Sequence, residues 1–241
     1  MLIRTSIAPL ITLLMVSFFL AGCERTPAPT REEIVAKYPS LESGSVRPEN
    51  TKILCPFVRM LERSGLLDEE LAANSSSTVA VKSIGDSAKE LGCAFLECNT
   101  VASIVSNGQS SEGVDLERLH EANGVAHDCG LTFALGGTEV SDVVRDATLN
   151  RLAELADDSG DLVYDDLLTT KLEICAQQGV ELSTAGATET KLIFAYLGGV
   201  ERGSIPLTDV ARFLNAEMPA TKTTSWVNAS LLSKVRPSDA E

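Results

Sequence analysis

The sequence predicts an all-α fold, a single globular helical domain over residues 52–235, and three observations lead there. Apolar residues recur at helical spacing: Leu54, Val58 and Leu61 follow an i, i+4, i+7 pattern, as do Ile84, Ala88 and Leu91, and again Leu168, Leu172 and Cys175. Clusters of Gly, Asn and Ser, such as Ser106-Asn107-Gly108, punctuate the runs, and no strand-like alternation competes with them. A span of roughly 180 residues suits one hydrophobic core, and it contains no internal repeat or heptad array.

Taken in order, the chain opens with Arg4 and the apolar run Ile7 to Leu20, too short for a stable bilayer-spanning helix, which needs about 20 apolar residues. Leu20-Ala21-Gly22-Cys23 resembles the lipobox of bacterial lipoprotein signal peptides. That resemblance implies that residues 1–22 are a removable signal and that Cys23 carries lipid as the mature N-terminus. It also implies export, with acyl chains as the membrane anchor. Glu24, where an aspartate would retain a lipoprotein in the inner membrane, points to the outer membrane, facing the periplasm or the cell surface. Residues 23–51 hold Pro27, Pro29, Pro39 and Pro48 among charges and serines, which predicts a flexible tether. Helices are expected from Leu54 onward and around Ile84 to Leu91. Further ones are expected over 94–105, 115–123, 140–156, Leu168 to Cys175, 188–198 and 207–216, with residues 236–241 as a tail.

Composition excludes several functions. With 34 Asp and Glu against 20 Lys and Arg, a net charge of -14, the surface repels nucleic acid and anionic lipid, so no nucleic-acid partner is expected. Two histidines and no C-x-x-C spacing leave too few ligands for a zinc site, and there is no Walker or dinucleotide-binding glycine motif.

Cys55, Cys93, Cys98, Cys129 and Cys175 remain once Cys23 is assigned to lipid. Exported cysteines tend to pair, and an odd number leaves one over. Cys55 is the one expected free. Pro56 suits the first position of a helix, which puts Cys55 at the N-cap beside the positive end of the helix dipole, where a thiol pKa should fall towards that of a nucleophile or metal ligand. Read from spacing alone, an ordinary buried or disulfide-bonded cysteine is the commoner explanation of the position. The other four allow three connectivities, among which the sequence does not choose.

From that cysteine, Cys55-Pro56-Phe57-Val58-Arg59-Met60-Leu61-Glu62-Arg63-Ser64-Gly65-Leu66-Leu67 resembles the proximal segment of the haem-thiolate peroxidases, the chloroperoxidase and unspecific peroxygenase family, with Cys-Pro, helical leucines and a glycine ten residues on. Leu116 through His127-Asp128 is similar to that family's stretch ending in Glu-His-Asp or Glu-Gly-Asp. Gly203-Ser204-Ile205-Pro206-Leu207 through Val210, Phe213, Glu217 and Pro219 is similar to its C-terminal helix and Glu-x-x-Pro ending. The resemblance implies the chloroperoxidase fold, with haem b as cofactor and Cys55, followed by Pro56, as the proximal ligand of the haem iron. Such a thiolate pushes electron density that favours O–O cleavage of hydrogen peroxide. Glu189 is the best positional match for the distal carboxylate that moves the peroxide proton. His127 would orient that carboxylate and Asp128 would support the histidine. The implied activity is a peroxide-driven oxidation, hydroxylation or halogenation of a small organic substrate.

The chain also departs from the family. Ala126 stands where an acidic ligand to a Mg or Mn ion is usual and Gly130 where a serine is, so neither ion is expected. Arg59 and Arg63-Ser64 replace the usual asparagine and Asn-His pair near the haem propionates, where an arginine could still pair with a propionate. His120, lacking a motif, is expected at the surface. Two other functions compete: a non-catalytic binding or scaffolding lipoprotein that keeps the helical fold without haem chemistry, and a cysteine hydrolase pairing Cys55 with His127.

Overall fold

The computed structural model describes residues 27–74, 76–123, 126 and 128–237. The expected signal peptide, Cys23 as the expected lipidation site, and His127 lie outside the described residues.

The described chain is a mostly helical single globular domain. Helix α1 (Arg31–Lys37) opens on a capping box in which the Thr30 hydroxyl accepts from the Glu33 N–H and the Glu33 carboxylate accepts from the Thr30 N–H. α2 (Pro56–Arg63) starts on proline, whose fixed φ suits a first turn, and stops at Gly65, which takes φ +86°, a left-handed conformation disfavoured for side-chain-bearing residues. There follow α3 (Asp68–Asn74), α4 (Val81–Glu90) and α5 (Phe95–Gln109). α6 (Asp142–Leu155) and α8 (Thr184–Tyr196) are capped by the hydroxyls of Ser141 and Ser183, each accepting from a backbone N–H three residues on. Between them runs α7 (Tyr164–Gln177), and after them come α9 (Gly199–Arg202), α10 (Leu207–Leu214) and α11 (Ala229–Leu232). Two short antiparallel ladders tie loops together: β1 (Thr78–Val79) with β2 (Val114–Asp115), and β3 (Asp161–Leu162) with β4 (Ile205–Pro206). One core, with Met60, Leu91, Leu152, Tyr196 and Leu214 among its members, runs through the domain. Among the described residues no helix is long and apolar enough to cross a membrane.

The predicted tether requires correction. From residue 27 it belongs to the domain: Ile34 and Leu41 are buried in the core, the Met218 N–H donates to the Leu41 carbonyl at 2.8 Å, and the Lys222 ammonium donates to the Pro29 carbonyl at 2.8 Å. Proline frequency misled because Pro39 heads a 3-10 turn (Pro39–Leu41) instead of an extended spacer, and the partners that bury Ile34 and Leu41 are distant in sequence. The helix expected over 115–123 is a 3-10 segment, Leu116–Glu121, capped by Asp115. On α7 the buried stripe runs through Leu167, Lys171 and Cys175, while Leu172, part of the helical spacing read from the sequence, is half exposed. The disulfides are Cys93–Cys98, at the start of α5, and Cys129–Cys175, which binds the loop after the 3-10 segment to α7.

Candidate functional site

A cavity of about 370 Å³, within the range of small-molecule sites, opens among α2, α5, α8 and the 3-10 segment. Its wall is built from helical stripes. α5 contributes Val101, Ile104 and Val105, and α8 contributes Thr184, Ala185, Thr188, Glu189, Leu192 and Ile193, each set at the spacing that lines one face of a helix. Leu54, Phe57, Val58, Phe133 and Phe213 extend the apolar surface.

Cys55 lies in this wall at the N-cap of α2, and it is the free cysteine among the described residues. The structure reverses one expectation about it. Burial pushes its thiol pKa up, and Glu189 adds to the rise; the N–H groups of Val58 and Phe57 and the charge of Arg59 pull the other way without prevailing. Loss of water outweighs the start of one short helix. In the protein alone Cys55 is therefore a thiol at neutral pH, and a metal that bound it would displace its proton.

Glu189 lines the same cavity. It forms an ion pair of 2.5 Å with Lys171, a side chain with no exposed surface that reaches from α7. The sequence carried a faint sign of Lys171, a lysine four residues from both Leu167 and Cys175 on a buried stripe, but only the fold reveals its partner. His120, expected at the surface, instead lines the cavity; its Nε2 lies 3.6 Å from a Glu121 carboxylate oxygen, and its Nδ1 is buried without a hydrogen-bond partner.

Ala126 is part of the wall, and Gly130 has a specific steric reason: a Cβ there would come within 2.1 Å of the Phe133 ring. The aromatic ring thus takes the space a serine side chain would use. Asp128 is exposed and is not among the cavity-lining residues, while Pro56 is. Arg59 and Arg63 face elsewhere. Arg59 is fully buried, donates to the carbonyls of Ile53, Leu54 and Leu214, and lies 3.1 Å from the Glu49 carboxylate. Arg63 donates to the Asn215 carbonyl at 2.9 Å. Neither lines the cavity, so the expectation that they meet a propionate is corrected: both close the C-terminal end of α10.

The donor set suits a haem better than a bare ion. Among the described residues no group of three or more His, Cys, Asp or Glu side chains could hold a metal ion. The cavity offers one soft sulfur donor and a broad apolar wall, which is what a metal already held by a macrocycle requires. The chain matches no protein-family model and no curated protein sequence.

Proposed function

We propose that this protein is a haem-thiolate peroxidase or peroxygenase that uses hydrogen peroxide to oxidise, hydroxylate or halogenate a small organic substrate. One observation carries the reading: the free Cys55 and the carboxylate Glu189, distant in sequence, line the same apolar cavity. Haem b, when bound, would supply the redox iron at which peroxide is reduced. Cys55 would hold that iron through its sulfur, giving up the thiol proton. Glu189 would accept the proton of the peroxide's near oxygen and deliver it to the far oxygen, which leaves as water. Lys171 keeps a counter-charge against Glu189 through its 2.5 Å contact, fixing the carboxylate in place. Leu54, Phe57, Ile104, Leu192 and Phe213 offer apolar contacts to the macrocycle and the substrate and exclude water. His127 and Asp128 belong to the reading through the family resemblance alone.

The resemblance of residues 20–23 to a lipobox and the two disulfides support an exported lipoprotein in an oxidising compartment, anchored to a bacterial membrane through Cys23. The test is the absorption spectrum of the full chain in detergent, supplied with haem, reduced and exposed to carbon monoxide, beside Cys55→Ser. A strongly red-shifted Soret band in the parent and its loss in the variant are expected. No haem uptake by the parent would overturn the proposal in favour of a binding or scaffolding lipoprotein.

A further inference from the structure

Exposed apolar side chains are ordinary when scattered and informative when they gather on one element. Of the eight large hydrophobic side chains exposed among the described residues, three stand on α5: Leu96 at 71%, Val101 at 47% and Ile104 at 46%. Leu96, Thr100 and Ile104 follow one another at i, i+4, i+8 and are all exposed, with Val101 one position on from Thr100, so they share the outward face of the helix. Ala102 and Val105 hold the opposite side in the core. Glu97, half-buried, is the single charged residue of this 15-residue helix, in a chain of net charge -14.

The chain enters the domain beside the start of this face. Ala28 is already buried, and the Pro29 carbonyl accepts from Lys222 Nζ at 2.8 Å. That ammonium lies 3.2 Å from where a Cβ on Gly92 would stand, and Gly92 is four residues before Leu96. Cys23 and Pro27 are four residue steps apart, so at a maximum of about 3.6 Å per step the cysteine lies within about 14 Å of Pro27. A headgroup layer takes up about 5–7 Å of that reach. A domain held by lipid on Cys23 therefore stands, around Pro27, no further from the headgroups than about 10 Å, one helix diameter.

We infer that the exposed face of α5 beds into the surface of the bilayer that holds the protein; the inference rests on the reading of Cys23 as the lipid-bearing residue. Interfacial helices bury an apolar face at the boundary of headgroups and acyl chains and keep their charges elsewhere. On α5 the other side is the protein core itself. The bilayer it fits is zwitterionic, because Glu97 and the acidic surface repel anionic lipid. Val101 and Ile104 belong both to this face and to the cavity wall, so in this pose the cavity meets lipid where it reaches the surface.

The test is amide hydrogen exchange, read by mass spectrometry on the lipidated full chain in phosphatidylcholine nanodiscs. The reference is the mature chain from residue 24, exported without the cysteine and free in solution. Exchange over residues 95–109 is expected to slow about tenfold in the nanodisc, a local protection. Leu96→Glu with Thr100→Glu, two exposed positions outside the cavity wall, should abolish that slowing and leave exchange in the free chain as in the parent. Unchanged exchange of α5 in the nanodisc would overturn the inference, and so would equal slowing of every helix, which is a global effect. Slowing that appears in the free chain as its concentration rises would assign the face to a second copy and overturn it too. An intact mass without acyl chains on Cys23 would remove the anchor reading and this inference together. Acylated Cys23 with unprotected α5 would remove the inference alone.

Discussion

Cys55 at the N-cap of helix α2 and Arg59 one turn into it do opposite work, and the contrast shows how one short helix divides stability from chemistry. At its N-terminus Cys55 is a free thiol in a cavity wall, raised in pKa by burial against the pull of the Val58 and Phe57 N–H groups. One turn later Arg59 is wholly buried, with three backbone carbonyls and Glu49 around its guanidinium, and Glu49 in turn reaches Arg145 at 2.6 Å. The first group is open to a ligand because it is in no disulfide and lines the cavity. The second is unavailable because folding satisfies it. They are linked, since two carbonyls that Arg59 holds belong to Ile53 and Leu54, the residues leading into Cys55. The arginine that cannot reach a ligand thereby fixes the backbone that presents the sulfur.

The sharpest way to break this division is Arg59→Ala. It leaves Glu49 facing Arg145 alone and three carbonyls without their donor, and should cost on the order of 4 kcal/mol in urea unfolding; a loss under about 1 kcal/mol would mean that Arg59 is no more structural than Cys55. Lys171→Met comes next, at about 3 kcal/mol, because it strips the buried counter-charge from Glu189. Should it equal Arg59→Ala, the cavity side would hold a structural ion pair of its own.

Acid sensitivity is a smaller effect, and it should arise away from α2. Burial raises the Glu201 pKa, but the Thr224 N–H and the hydroxyls of Thr223, Ser225 and Thr224 outweigh it, bringing the group from 4.5 down to about 2. A pKa depressed on folding gives stability that is present above about pH 4.5 and lost as pH falls towards 2. Glu201→Gln should therefore lower the melting temperature at neutral pH and flatten the acid limb of its profile, the parent and variant converging as pH falls towards 2. The smallest effect on folding belongs to Cys55→Ser, which should shift stability by about 1 kcal/mol or less even as it removes the proposed thiolate spectrum; a large destabilisation would make the thiol a packing element.

Several features were legible in the residues themselves. Helical spacing foretold the mostly helical domain and the ranges of α5, α6, α8 and α10 within a few residues, and the Cys55-Pro56 pair marked the start of α2 and the free thiol. The stretch from residue 27 to 51 was misread because composition reports proline content while burial depends on partners such as Met218 and Lys222, far along the chain. His120 was missed for a related reason. No motif surrounds it, and its place in the cavity depends on how the 3-10 segment docks beside α5.

The sequence by itself determined local matters: the periodicity of each helix, the caps at Thr30, Ser141 and Ser183, and the glycine that ends α2. These depend on backbone groups within a few residues of one another. Only the tertiary structure decided which charges are spent and which remain. It sends Arg59 and Arg63 to the end of α10, pairs Lys171 with Glu189, joins Cys129 to Cys175, and raises the Cys55 thiol pKa against the helix dipole. The physical reason is that desolvation and pairing depend on what surrounds a group in space, and here those surroundings come from segments separated by up to about 150 residues of chain.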